Sequence, residues 1–248
     1  MQALAWPQGV LDPQGPIAAA ERTILLNATV IMLAVVVPVI VLTLAFAWWF
    51  RAGNAWARRD PEWAYSGAVE VTVWSIPALV ILFLGGIAWI GSHDLDPAKP
   101  LASRRPPLTV QVVSLDWKWL FIYPELGVAS VNRMVVPAGT PLRMQLTSAS
   151  VMNSFFVPQL GSQIYTMGGM TTTLHLMADR PGTYPGLSAN FSGDGFSDMR
   201  FAAVAVSPGQ FERWLADVRA GAGALDAASY AALARPAVAA APRTWGRV

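Results

Sequence analysis

The 248-residue chain contains no cysteine and only two histidines. Without thiols it can form no disulfide framework, no thiolate metal site and no cysteine nucleophile. This absence does not identify a compartment, because disulfides are optional outside the cytosol. His93 and His175 are isolated, and neither has a second ligand at metal spacing. Charge is scarce as well: 13% of the residues are charged, against roughly 25% in ordinary soluble proteins. The net charge of +2 gives no basic field that would suggest nucleic acid. There is no nucleophile motif and no glycine-rich phosphate loop, and Gly168-Gly169-Met170 reads as a turn. The chain therefore carries no catalytic constellation of its own, and any enzymatic activity has to belong to a complex.

What is abundant is apolar sequence, 54% of the residues, concentrated in the first ninety. Residues 1–22 read as a short arm with three prolines. The arm has no basic stretch followed by an apolar core, so it does not read as a signal peptide. Residues 23–50 form a long uncharged run, enough for a helix to exceed a hydrocarbon core of roughly 30 Å. Pro38 lies inside it, and Trp48 and Trp49 lie where an interfacial belt is expected. A second span of about residues 71–91 contains Pro77 and the pair Gly85-Gly86, where another helix can approach closely. Arg51, Arg58 and Arg59 between the spans outnumber Arg22, the one basic residue before them. The positive-inside rule therefore puts this loop in the cytoplasm and both chain ends outside. Residues 23–92 thus read as a transmembrane hairpin, and the proline-rich stretch 93–107 as a linker.

From Leu108 the pattern changes to short strands: residues 108–115, 128–136, 141–147, 151–157, 171–177 and 201–206. Trp117, Trp119, Phe121 and Tyr123 alternate, which puts four aromatics on one face of a further strand. This domain, 108–206, predicts a Greek-key sandwich or barrel. Ser207 opens a helix to Arg219, with Pro208 at its first position and Gln210 completing a capping-box pattern. Beyond it, a short helix around residues 226–234 and a loose tail after Pro236 are expected, within a C-terminal segment 207–248. The fold class is a membrane-anchored α+β chain: a two-helix hairpin, an all-β domain and a C-terminal helix.

Four stretches carry a more particular likeness. They are Asp116-Trp117-Lys118-Trp119, Val151 to Pro158, Leu160 to Tyr165, and the Ser- and Gly-rich loop Gly186 to Met199. In order, they resemble subunit II of the haem-copper oxidases, over most of the chain from about Leu11 to Trp214. In copper-bearing members the loop holds two Cys flanking a Glu, followed by Gly, His and Met, with another His upstream. Laid on that pattern, Ser188 and Ser192 stand at the Cys positions and Asn190 at the Glu. Phe196 stands at the loop His and Asn153 at the upstream His; Met199 alone is kept. Hydroxyls, amides and a phenyl ring do not replace the thiolates and imidazoles that copper prefers.

That combination is similar to subunit II of cytochrome bo-type ubiquinol oxidases. The resemblance implies a cupredoxin-like domain with no copper or other cofactor in this chain. It further implies haems, one copper and the quinol site in a partner subunit I, with subunits III and IV and membrane lipid as further neighbours. It places the chain in a bacterial inner membrane with the domain on the periplasmic side. Many relatives carry a lipid-modified Cys a few residues before Leu11-Asp12-Pro13-Gln14-Gly15; here Ala5 and Trp6 stand near that place.

Glu70, at the start of the second span, has two readings. One is a solvated carboxylate favoured by the helix dipole. The other, implied by the resemblance, is the entrance of a proton pathway that continues in subunit I. The aromatic row likewise reads as packing or as an electron path. Two rival functions stand beside the oxidase reading. One is a cytochrome c oxidase subunit II with copper and an acidic docking face, against which residues 93–220 carry nine acids and ten bases. The other is a stand-alone, membrane-anchored cupredoxin-like binding or assembly protein.

Overall fold

A computed structural model describes residues 9–58, 60–221, 223–238 and 241–248. Ala5, Trp6 and Arg59 lie outside the described residues. The chain divides into two units: Thr23–Asp94, and the residues up to Arg22 together with Leu95–Val248.

The first unit consists of apolar helix. Helix α1 runs Pro16–Trp49 and α2 runs Gly67–Asp94. Both are long and apolar enough to cross a membrane, and neither buries its apolar window inside the chain. At ~1.5 Å per residue, the 34 residues of α1 span about 50 Å. The hydroxyls of Thr29, Thr43 and Thr72 donate to carbonyls four residues earlier, at 2.7, 2.7 and 2.9 Å. Polar groups in apolar surroundings are thereby satisfied within their own helix. Helix α1 starts earlier than the uncharged run. Pro16 suits the first helical position, Ala18-Ala19-Ala20 are strong helix formers, and Ala19 N–H bonds Gly15 O at 3.0 Å. A Cβ added to Gly85 or Gly86 would meet nothing within 4 Å, whereas one at Gly91 would lie 2.7 Å from Ile24 Cδ1. Within the hairpin, then, close approach occurs at Gly91 and the glycine pair stays open.

The second unit is a two-sheet β-domain. Its strands are β1 (Leu108–Leu115), β2 (Lys118–Tyr123), β3 (Val128–Val131), β4 (Arg133–Pro137), β5 (Leu142–Ser148), β6 (Asn153–Phe156), β7 (Ile164–Thr166), β8 (Thr172–Leu176), β9 (Gly182–Ser188), β10 (Arg200–Val206) and β11 (Arg243–Trp245). One sheet has the order β11-β3-β2-β1-β5-β8, the other β4-β10-β9-β6-β7. The pairs β1/β5 and β10/β4 are parallel and the remaining pairs antiparallel. Between the sheets lie Trp119, Phe121, Phe155 and Phe201. Phe155 and Phe201 stack at 4.9 Å, and Trp119 meets Phe155 edge-on at 5.3 Å. Offset and edge-on geometries of this kind suit the ring quadrupoles.

In the β-domain and the tail, four details depart from the sequence reading. The apparent strand 128–136 is two strands in different sheets, broken at Asn132. Its φ of 54° is left-handed, which Asn tolerates, and its Oδ1 accepts Trp119 N–H at 2.9 Å. Trp117 leaves the aromatic row, because it sits in the β1–β2 turn with φ 61°. Residues 186–188, read as the start of the Ser- and Gly-rich loop, are the end of strand β9, whose Tyr184, Gly186 and Ser188 alternate inward. After Pro236 the chain is not simply a loose tail, since β11 adds an edge to the larger sheet by pairing with β3.

The C-terminal helices agree more closely with expectation. Helix α3 (Pro208–Gly221) buries Phe211, Leu215 and Val218. Ser207 N–H donates to Gln210 Oε1 at 3.0 Å, one half of the capping box. Helix α4 (Ala227–Ala234) is N-capped by Asp226, which accepts Ser229 N–H at 2.8 Å. Leu225, Leu233 and Trp245 cover Leu115, Leu120, Ala129 and Val131 on the outer face of the larger sheet.

The segment before α1 belongs to this domain. Gln14 N–H bonds Gln159 O at 2.7 Å, and Asp179 N–H bonds Gln14 O at 2.9 Å. A Cβ at Gly15 would lie 2.2 Å from Met177 O, so only glycine allows this approach.

Candidate functional site

Strand β6 presents Asn153, strand β9 ends at Ser188, and the loop after it returns through a short 3-10 turn at Phe196–Asp198 to Met199 and β10. All six positions picked out in the sequence are thereby linked. Ser188 hydroxyl donates to Asn153 Oδ1 at 3.0 Å and lies 3.2 Å from Asn190 O. Ser188 N–H donates to Met199 O at 3.1 Å, and Met199 N–H to Phe196 O at 3.1 Å. Ser192 hydroxyl donates to Met199 Sδ at 3.9 Å. Asn153, Ser188 and Met199 are buried. Asn190 Nδ2 reaches Met152 O at 3.4 Å, tying the loop to the segment before β6.

Trp117 supplies the lid that the sequence reading missed. Its indole N–H donates to Ser192 O at 3.1 Å. Its ring lies so close to Gly195 that an added Cβ would be 2.4 Å from Cδ2. Positive φ is rare for a bulky residue. Here the hydrogen bond and the ring contact hold it in place. Alternation could not reveal this, because the two-residue turn breaks the period before Lys118. Phe191 and Phe196 meet edge-on at 5.6 Å, with Phe191 exposed.

The chemistry of these side chains decides what the loop can hold. Two hydroxyls, two amides and a phenyl ring surround one thioether, and the buried ones are already hydrogen-bonded to each other. They do not fit a copper centre, which requires thiolate and imidazole. Among the described residues no group of three or more His, Cys, Asp or Glu side chains could hold a metal ion. His93 Nδ1 lies 2.8 Å from Trp89 O, its ring packed on Trp89. His175 Nδ1 lies 3.3 Å from Pro97 O. Glu70 is exposed in the first turn of α2, its N–H bonded to Ser66 O at 3.0 Å.

The fold and loop define a cupredoxin-like subunit II domain, preceded in sequence by two apolar helices, with a polar network at the positions where copper-bearing members hold metal. Residues 125–206 match the family described as cytochrome c oxidase subunit II, periplasmic domain. Cytochrome bo(3) ubiquinol oxidase subunit 2 of Pseudomonas aeruginosa is 52% identical over 92% of this chain and 69% of its own length. Ubiquinol oxidase subunit 2 of Acetobacter aceti is 51% identical over 92% of this chain and 75% of its own. The periplasmic domain of cytochrome oxidase subunit II from Bradyrhizobium japonicum aligns with a TM-score of 0.43 at 25% identity, over 46% of this chain and 94% of that one. The chain belongs to the ubiquinol oxidase subunit 2 family.

Proposed function

We propose that this chain serves as subunit II of a proton-translocating ubiquinol oxidase, which oxidises ubiquinol and reduces oxygen to water. The observation that carries this reading is the pairing of about half-identical ubiquinol oxidase relatives with a loop whose donors do not suit copper. A cytochrome c oxidase subunit would need that copper for electron entry. In the proposed complex the haems, one copper and the quinol site lie in subunit I, with subunits III and IV alongside. This chain contributes no catalytic centre. Its hairpin anchors it in the inner membrane among lipid, with both termini and the β-domain on the periplasmic side.

Two roles are assigned to the chain. The β-domain braces and caps the outer face of subunit I. Exposed Val151, Met152 and Phe191 around the loop support this, since apolar groups gathered at one end suit a protein partner. Glu70, in the first turn of α2, stands at the cytoplasmic entrance of a proton pathway; the likeness to ubiquinol oxidase subunit 2 supports this role.

Purification from native membranes in mild detergent tests the reading. Co-purifying haem, ubiquinol-driven oxygen uptake and a single copper per complex are expected. Two further coppers, or uptake driven by reduced cytochrome c, would overturn it, and a colourless monomer would favour a stand-alone binding protein.

A further inference from the structure

Lys118 is a charged residue with only 2% of its surface exposed. Its ammonium donates to the carbonyl of Arg235, the C-cap residue of α4. An ammonium carries three N–H donors, so this contact leaves donor capacity over. Asp116 attracts the charge, but its own carboxylate accepts the Ser150 hydroxyl. Burial dominates and pushes the Lys118 ammonium below the ordinary lysine range. Nothing in the oxidase reading uses this group.

The side chain lines a recess of about 490 Å³ between the larger sheet and the C-terminal segment. Val131, Leu233 and Trp245 supply apolar wall, and Arg235 and Arg243, both exposed, add cationic residues. Among the described residues no Asp or Glu lines it. Three cationic residues around one partly apolar recess, without a lining acid, make a local excess of positive charge. Such an arrangement is complementary to an anion, and partial desolvation strengthens the attraction.

We propose that this recess binds a small oxyanion, a carboxylate or phosphate group with a short apolar portion. Lys118 would hold the oxyanion at the floor, Arg243 would pair with it from the solvent side, and Trp245 and Leu233 would cover its apolar part. A charge-assisted contact to a buried ammonium is stronger than one between neutral groups. The surrounding walls exclude water from one side of the ligand. The rival explanation is that Lys118 merely caps the last turn of α4, in which case no anion is needed.

The test is calorimetric titration of the detergent-solubilised oxidase complex with inorganic phosphate and, separately, benzoate, against sodium chloride at matched ionic strength. Saturable binding of at least one of the two probes is expected. Lys118→Met should weaken it by roughly tenfold or more, as expected for removing a charge-assisted contact. Arg243→Ala should weaken it several-fold. No saturable binding to the unaltered complex would overturn the proposal, as would unchanged affinity in a folded Lys118→Met variant. Should Lys118→Met fail to fold, Arg243→Ala decides, because Arg243 is exposed: unchanged affinity there overturns the proposal and a several-fold loss supports it.

Discussion

The hydroxyl of Ser188 donates to Oδ1 of Asn153 at 3.0 Å, and both side chains are buried. Their neighbour Met199 is reached through the Ser188 backbone. Hydrogen bonding between protein groups thus fills the place where copper-bearing members of the wider family use metal ligands.

Ser188→Ala should therefore act on stability and leave the chemistry untouched. It leaves a buried amide oxygen short of a donor, at a cost of about 1–3 kcal/mol. The domain's melting midpoint should fall while ubiquinol-driven turnover of the assembled complex stays the same. A proportional loss of turnover in fully assembled complex would contradict the absence of a redox role for the loop.

Trp117 and Gly195 act as a pair. Gly195→Ala would push a methyl into the indole, and Trp117→Ala would remove both the ring and the bond to Ser192 O. Each should loosen residues 189–199, seen as faster amide hydrogen exchange confined to that loop. Because both changes disturb one contact, the double variant should be little worse than the poorer single one.

Tyr123 ties the two sheets together. Its hydroxyl donates to Val135 O at 2.8 Å and accepts Val135 N–H at 2.9 Å. Burial pushes the phenol well above its ordinary range. Tyr123→Phe should cost about 1–3 kcal/mol by stranding buried backbone groups, measured by denaturant unfolding.

Asp226 predicts a local pH dependence. Ser229 N–H bonds its carboxylate and holds it below the ordinary carboxylate range. A depressed folded value means that the cap's contribution is present above the unfolded value and lost as pH falls through the folded one. Amide protection in α4 should therefore weaken under acid. Asp226→Asn keeps an N-cap acceptor and should remove that dependence; an identical acid profile would refute the assignment.

Glu70→Gln removes the proposed proton carrier while conserving shape. Turnover should drop several-fold with ubiquinol KM unchanged. Unchanged turnover and unchanged proton release would leave Glu70 as a solvated helix-terminal carboxylate.

Much of this protein was legible in its sequence, because the signals were local. Two uncharged runs of membrane length need no tertiary context to declare themselves. The alternation in Leu142–Ser148 and Arg200–Val206 follows from strands having one buried face. The Ser and Asn residues at the metal-ligand positions, and the total lack of cysteine, were legible at once: of the donors in the copper pattern the loop keeps Met199 alone. Tertiary structure decided what depends on partners distant in sequence. Asn132 turns the chain from one sheet to the other because Trp119, thirteen residues earlier, meets its side chain. Trp117 takes a left-handed conformation because a loop 75 residues later supplies a carbonyl. Arg243–Trp245 becomes a strand only because β3 offers an open edge. Lys118 is buried only because the C-terminal segment folds back over it. In each case the deciding group lies beyond the reach of any local pattern, and only the folded chain brings it near.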